Sequence, residues 1–444
     1  MSTIKVNTIT TRSGSTITLG ESGKTITLAC GASQTGFGRT GTVDWCTTAK
    51  TSPFTGVSGK GYFINTSGGA VTVTLPASPS AGDIVSIADY TNTFQTNAVT
   101  VGRNSSKIGG VCADATLNTK GQSVTLVYVD GTEGWKNVQD STSNVTGISH
   151  VTASGGTETT CGDYKIHTFT SDGNFIVSNA GQPGGSNTVD YLVVAGGGGG
   201  GHDNGGGAGG GGFRLSNSTS MPSPLTSPLA TPTALPVSAT TYPISVGAGG
   251  SGGTGPSGGC NGSNSVFSSI TSAGGGKGGE QGGDGGSGGG NCSASPSTRG
   301  AGNTPPVSPP QGNDGGLRPG NAPAYAGGGG GGAGAQGANS TGPKGGAGGD
   351  GSYVLSTGFA GSNGTTGPVS DARYFSGGGG GGGQPYSPAC NASNVGGAGG
   401  GGNAYAPSFA GGTNTGGGGG GGTNPATGGA GGSGIVIIRY KYQN

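Results

Sequence analysis

Charge and grease are both scarce in this sequence. Charged residues make up 8% of its 444 residues and hydrophobic residues 29%, well below a globular average, so one large apolar core is not available. The net charge is +1, from 19 basic and 18 acidic residues with no basic run, which argues against a nucleic-acid or anionic-membrane footprint. No stretch reaches transmembrane length, so membrane insertion is not expected. The opening "MSTIKVNTITTRSGS" lacks the apolar centre of a secretion signal. Seven cysteines, Cys30, Cys46, Cys112, Cys161, Cys260, Cys292 and Cys390, are an odd number without C-x-x-C spacing, so neither a zinc site nor a dense disulfide framework is indicated. Small semi-buried thiols are expected, with a bridge among Cys260, Cys292 and Cys390 left open.

Catalytic groupings are missing as well. The three histidines are His150 in a linker, His167 on a strand and His202 in "GGHDNGG", and a polar turn explains the last better than a metal or base. No P-loop, nucleophile elbow or paired carboxylate stands in a credible setting, and G-x-G-x-x-G matches mean nothing where a quarter of the residues are glycine. The reading is of a protein that is not an enzyme and holds no cofactor or metal.

Glycine is what remains: 112 Gly, with 24 Pro. No Gly-X-Y period runs anywhere, which excludes collagen. Residues 1–56 read as short alternating strands, "STIKVNTIT", "STITLG" and "KTITLAC", too thin to bury a face alone and therefore expected to intertwine with identical chains or a partner. Residues 57–145 read as a small antiparallel β-sandwich with strands "GYFINTS", "AVTVTLP", "DIVSIADY", "AVTVGRN", "SVTLVYVD" and "GWKNVQD". Its expected core is Val85, Ile87, Val124, Leu126, Val127 and Trp135. A linker is expected over 146–161 and a glycine-rich domain over 162–444. That domain opens on "YKIHTFTSDGNFIVSN", whose Ser171–Asn174 segment predicts a hairpin. "TVDYLVVA" then runs directly into glycine, and "GIVIIRYKY" closes the chain. Strands that want to pair thus bracket the glycine-rich mass.

Between the brackets, tracts such as 196–201, 205–212, 273–290, 327–334, 377–383, 396–402 and 416–422 are similar in length. Polyglycine II geometry, with three residues per turn, points every amide and carbonyl outward. Packed parallel, such helices can satisfy one another, and only glycine permits the approach on all sides. A segment with Ala, Lys or Asn is expected only on the outside of such a bundle. The competing reading is a disordered Gly/Ser linker; the bracketing strands and the strand-like "TYPISVGAG" and "NSVFSSI" argue for order. The expected fold is all-β plus a polyglycine II bundle. The loops joining the struts carry Tyr, Asn, Ser and Pro, a mix that binding loops favour. Tyr325, Tyr386, Asn391, Tyr405 and Phe409 are the expected receptor-binding residues at loop tips, each weighed against a role in capping a strut. The Pro/Ser/Thr-rich loop 215–243 reads equally as stiff or disordered.

"MSTIKVNTITTRSGSTITLGESGKTITLACGASQTGFGRTGTVDWCTTAKTSPF", with "AVTVTLPASPSAGDIVSIADY" and "QSVTLVYVDGTEGWKNV", resembles the N-terminal and middle modules of tail-fibre proteins from marine bacteriophages. "HTFTSDGNFIVSN", "VDYLVVAGGGGGG" and the closing "GIVIIRYKY" are similar to the glycine-rich domain at the distal end of such fibres. The resemblance implies a virion protein of the tail fibre, assembled in the host cytoplasm and released by lysis. It implies a homotrimer docked through its N-terminus to the tail, baseplate or another fibre protein. Its distal loops would meet a host surface polysaccharide or outer-membrane protein. The alternative is a structural virion shaft, decoration or filament protein with no receptor contact.

Overall fold

A computed structural model describes residues 43–142, 149–183, 185–218, 225–255, 258–292, 299–319, 325–383, 395–404 and 408–443. The strands expected within residues 1–42 lie outside them. The chain divides into two compact units, Met1–Thr146 and Gly147–Asn444, and both are built from β-strands.

The first unit carries β1 (Asp44–Lys50), β2 (Phe54–Thr55), β3 (Lys60–Ile64), β4 (Val71–Thr74), β5 (Ile84–Asp89), β6 (Val99–Gly102), β7 (Ala115–Leu117), β8 (Ser123–Asp130) and β9 (Gly134–Ser141). All six expected strands are among them. They form two sheets in the orders β1-β3-β5-β8-β9 and β2-β4-β6-β7, so the first six strands alternate between sheets. Each therefore meets its neighbour one circuit later and parallel to it, as in β1/β3, β3/β5, β2/β4 and β4/β6. The expected antiparallel sandwich is thus mixed. Its turns carry the chain from one sheet to the other, and the ladder becomes antiparallel only at β5/β8/β9 and β6/β7.

Alternation along each strand supplies the core. Val71 and Val73 of β4, Val99 and Val101 of β6, and Val124 and Leu126 of β8 point inward with the threonines between them outward. They close on Val85, Ile87, Phe94 and Trp135. Five of the six expected core residues are buried; Val127 is only half-buried, because it sits on the other face of β8.

The second unit contains β10 (Val151–Ser154), β11 (Thr157–Cys161), β12 (Tyr164–Phe169), β13 (Gly173–Ala180), β14 (Thr188–Val194), β15 (Phe213–Ser216), β16 (Ala230–Thr231), β17 (Leu235–Pro236), β18 (Thr241–Ser245), β19 (Ser265–Phe267), β20 (Ile270–Ser272), β21 (Ser352–Leu355), β22 (Ala372–Phe375) and β23 (Ile435–Lys441). The stretch expected as a linker carries β10 and β11. The expected hairpin at 171–174 is absent. β12 pairs with β11 and β23, whereas β13 pairs with β10 and β18 in another sheet. Here too the turn passes between sheets instead of reversing within one.

The bracketing strands do pair: β14 and β23 run antiparallel, with Asp190 opposite Arg439 and Val194 opposite Ile435. They are central in their sheet and buried on both faces. Val189, Tyr191, Val193, Val436 and Ile438 face Phe175, Ile244 and Phe267 of the five-stranded sheet. Leu192, Val194, Ile435 and Ile437 face Phe213, Val354, Phe359 and Phe375. Burial on both sides explains why these two strands read as continuous apolar runs.

Two polar groups are locked into this platform. Arg439, 3% exposed, donates to Asp190 Oδ2 at 2.8 Å and Asn217 Oδ1 at 2.9 Å, and its guanidinium lies 4.8 Å from the Tyr164 ring centre and 4.6 Å from that of Phe359. Asp190 Oδ1 accepts from Ser216 Oγ and the Ser218 N–H. His167 is fully buried. Its Nδ1 lies 2.7 Å from Gly155 O and its Nε2 3.2 Å from the Tyr440 hydroxyl. A carbonyl can only accept, so Nδ1 carries the proton and Nε2 receives the Tyr440 O–H. Burial drives the His167 pKa down and the Tyr440 pKa up to about 12.

Candidate binding face at the end of the glycine bundle

Beyond Val194 the chain leaves regular strand structure and enters the tract 196–201. Its amides donate to carbonyls with a period of three. Gly196 and Gly199 bond to Ser263 and Cys260, Gly197 and Gly200 to Gly432 and Gly429, and Gly198 and Gly201 to Gly209 and Gly206. These three neighbours run antiparallel. The carbonyls of the same residues accept from Gly275 and Gly278, from Gly250 and Gly253, and from Gly419 and Gly422, three neighbours that run parallel. Every bond is 2.8–3.0 Å long. One strut is thus laced to six others, which is polyglycine II packing. The expectation of parallel packing alone is corrected: half of the neighbours are reversed, because a single chain that folds back on itself delivers tracts in both directions.

Glycine is required by contact. A Cβ on Gly197 would lie 2.1 Å from Gly417 O, one on Gly198 2.3 Å from Gly276 O and one on Gly200 2.1 Å from Gly420 O. The exclusion is local, since Ala208 sits fully buried within its tract; the expectation that alanine stays outside fails there. One shared bond per residue, worth about 0.5–1.5 kcal/mol net, roughly offsets the backbone entropy of about 1–2 kcal/mol lost in ordering it. The bundle is therefore close to balance by itself, and the β14/β23 pair, which pins both ends of the glycine-rich stretch, tips it toward order.

The same bonds fix which loops leave which end. Gly327 donates to Gly382, Gly382 to Gly205, Gly205 to Gly422 and Gly422 to Gly201, so these five residues share one level, at the end away from β14 and β23. The segments 202–204 and 423–427 leave from there, and the described tract ends at Gly327 and Gly382 lie there too. At the first of them, His202–Asn204 reverses the chain, with Asp203 and Asn204 at φ +50° and +56°, a polar turn as expected. Phe409, whose carbonyl accepts from Gly420 at 3.1 Å, lies two residues from that level along its neighbour.

Of the five expected loop-tip residues, Tyr325 and Phe409 are described, and both are exposed, at 47% and 54%. Tyr386, Asn391 and Tyr405 lie outside the described residues. Tyr325 covers Arg318, whose guanidinium carbon is 5.0 Å from the ring centre. Arg318 is itself buried, bonded through Nη1 to Cys292 O at 2.6 Å and through its amide to Asn291 Oδ1 at 2.8 Å. The sequence reading missed Arg318; its place seven residues before Tyr325 is the one signal that could have found it. Burial, helped by Glu280 and Asp203 and opposed by the Gly206 backbone and Arg318, pushes the Cys292 thiol up. Cys260 and Cys292 are free thiols, so no bridge joins them, and Cys390 lies outside the described residues. The expected semi-buried setting holds for Cys46, Cys161 and Cys292, whereas Cys112 and Cys260 are exposed. Among the described residues no group of three His, Cys, Asp or Glu side chains could hold a metal ion, and no helix is long and apolar enough to cross a membrane.

The profile of a glycine-rich domain matches residues 168–441, more than half of the chain. This protein belongs to the glycine-rich domain family. The match begins in β12 and ends at the last residue of β23, so the glycine-rich domain takes in the paired strands as well as the tracts between them. A search of curated proteins finds no similar one.

Proposed function

We propose that this protein is an adhesin of the bacteriophage tail-fibre type, which docks through its N-terminal region and binds a host surface receptor through the loops at the far end of its glycine-rich domain. One observation carries the reading: several tracts of the main-chain bundle end at one level, next to sequence of binding-type composition, and Tyr325 and Phe409 are exposed near it. A rigid base lowers the ordering cost of association, and tyrosine offers broad amphipathic area with few torsions to fix. The Arg318–Tyr325 pair contributes a ring already held in place, by about 0.5–1 kcal/mol for a cation–π contact at an exposed site. The N-terminal and middle resemblance to tail-fibre modules supports docking to a tail, baseplate or fibre partner, as a homotrimer. The receptor is a surface polysaccharide or outer-membrane protein.

Exchanging the loop segments between Tyr325 and Phe409 for those of a homologue with another host tests the reading. Host range should follow the loops while particles assemble normally. Adsorption that is unchanged after the exchange removes the receptor-binding role and leaves a purely structural fibre or decoration.

A further inference from the structure

β14 changes partners along one edge. β15 pairs with it at Leu192–Val194 and β17 at Thr188–Val189, so Tyr191 stands at the gap between them. A pocket of about 280 Å³ opens there, at the small end of ligand sites and of a size for one small molecule. Tyr191 and Arg214 line it with Thr231, Thr233, Leu235 and Pro309.

Two of these residues offer polar groups to the pocket. Tyr191 is 5% exposed, yet its hydroxyl has no hydrogen-bond partner among the described residues, and burial pushes its pKa up, with Arg214 opposing. Arg214 is half-buried and has neither an ion-pair nor a hydrogen-bond partner among the described residues. Elsewhere in this platform the terminal nitrogens of the buried Arg439 meet carboxylate, amide and carbonyl acceptors. Both residues line the pocket with their polar groups uncommitted among the described residues, so a ligand seated there meets a guanidinium fork and a hydroxyl free to bond it.

The geometry points to a second binding site here, for a sugar unit that bears a carboxylate. A guanidinium fork matches a carboxylate in shape and single charge. The hydroxyls of Tyr191, Thr231 and Thr233 suit a ring rich in hydroxyl groups, and Leu235 and Pro309 suit its apolar C–H face. The inference does not rest on the adhesin reading, since the pocket lies at the platform and uses none of the loops at the far end.

Calorimetric titration of the full chain with galacturonate, galactose and acetate tests it. Galacturonate should bind at least tenfold more tightly than either of the others. Arg214→Gln should weaken galacturonate at least tenfold, and Tyr191→Phe severalfold, with unchanged unfolding midpoints. Ultraviolet difference spectra should report Tyr191 on galacturonate addition, and lose that signal in Tyr191→Phe. Galacturonate binding no tighter than galactose overturns the assignment, as does affinity that survives Arg214→Gln. Acetate binding as tightly as galacturonate overturns the sugar part and leaves a small-anion site.

Discussion

Replacing Gly198 by alanine asks whether bare main chain is what holds the glycine-rich domain together. The added Cβ would stand 2.3 Å from Gly276 O, about 1 Å inside ordinary van der Waals contact. Relief requires that carbonyl to move, yet it also accepts the Gly209 amide at 2.8 Å. A shift of about 1 Å takes that bond beyond hydrogen-bonding range and strands a buried donor, at about 1–3 kcal/mol. Overpacking adds about 1–3 kcal/mol. The lower chain entropy of unfolded alanine returns about 0.4–1 kcal/mol. The net expectation is destabilisation by about 3 kcal/mol. Gly255 is the control, because a Cβ there meets nothing within 4 Å and its φ is not positive; Gly255→Ala should be neutral or slightly stabilising. Denaturant unfolding of both variants, with amide exchange followed at 196–201, reads the difference. Equal stability of the two variants would refute the packing argument, as would unprotected amides throughout 196–201 in the parent chain.

Two further outcomes concern the platform. The unfolded chain binds a proton at an ordinary histidine pKa near 6.5, whereas buried His167 resists it; stability should therefore be full above about pH 6.5, and fall as pH drops through and below that value. Glu158, 4.0 Å from Nε2, softens the effect, and His167→Gln should flatten the stability profile between pH 5 and 7. Removing the carboxylate in Asp190→Ala leaves Arg439 buried without its counter-charge and should cost about 3–5 kcal/mol. Asp190→Asn keeps acceptors for Ser216 and Ser218 and should cost less, and equal losses in thermal unfolding would contradict the charge argument.

Much of the fold was legible because its signals are local. Alternation in "AVTVTLP" and "SVTLVYVD" placed β4 and β8, and the apolar runs at 188–194 and 435–441 announced a buried pair closing around the glycine. What the sequence could not carry was the destination of each turn. Ser171–Asn174 has the chemistry of a reversal, but the same Gly, Asp and Asn geometry serves a corner between two sheets, and only the partners of β12 and β13 decide which. The parallel ladders of the first unit were missed for the same reason. Tract direction was hidden likewise, since a run of glycine reads alike from either end. The far-end aromatics could be named from loop composition, but Arg318 could not, because its value lies in the contact with Tyr325. Tyr191 reads as a strand residue of "TVDYLVVA" and Arg214 carries no signal of its own, and only the partner exchange along β14 brings them to a pocket.

The period of three in the hydrogen bonds has a consequence for how such a domain can change over generations. Adding or removing one residue inside a tract turns every later bond by about 120°, so each amide then addresses the wrong neighbour. A change of three residues returns each donor to the strut it faced before and merely slides it along. Length variation inside the struts should therefore come in triplets of residues, whereas the connecting loops, which keep no such count, are free to vary by any number.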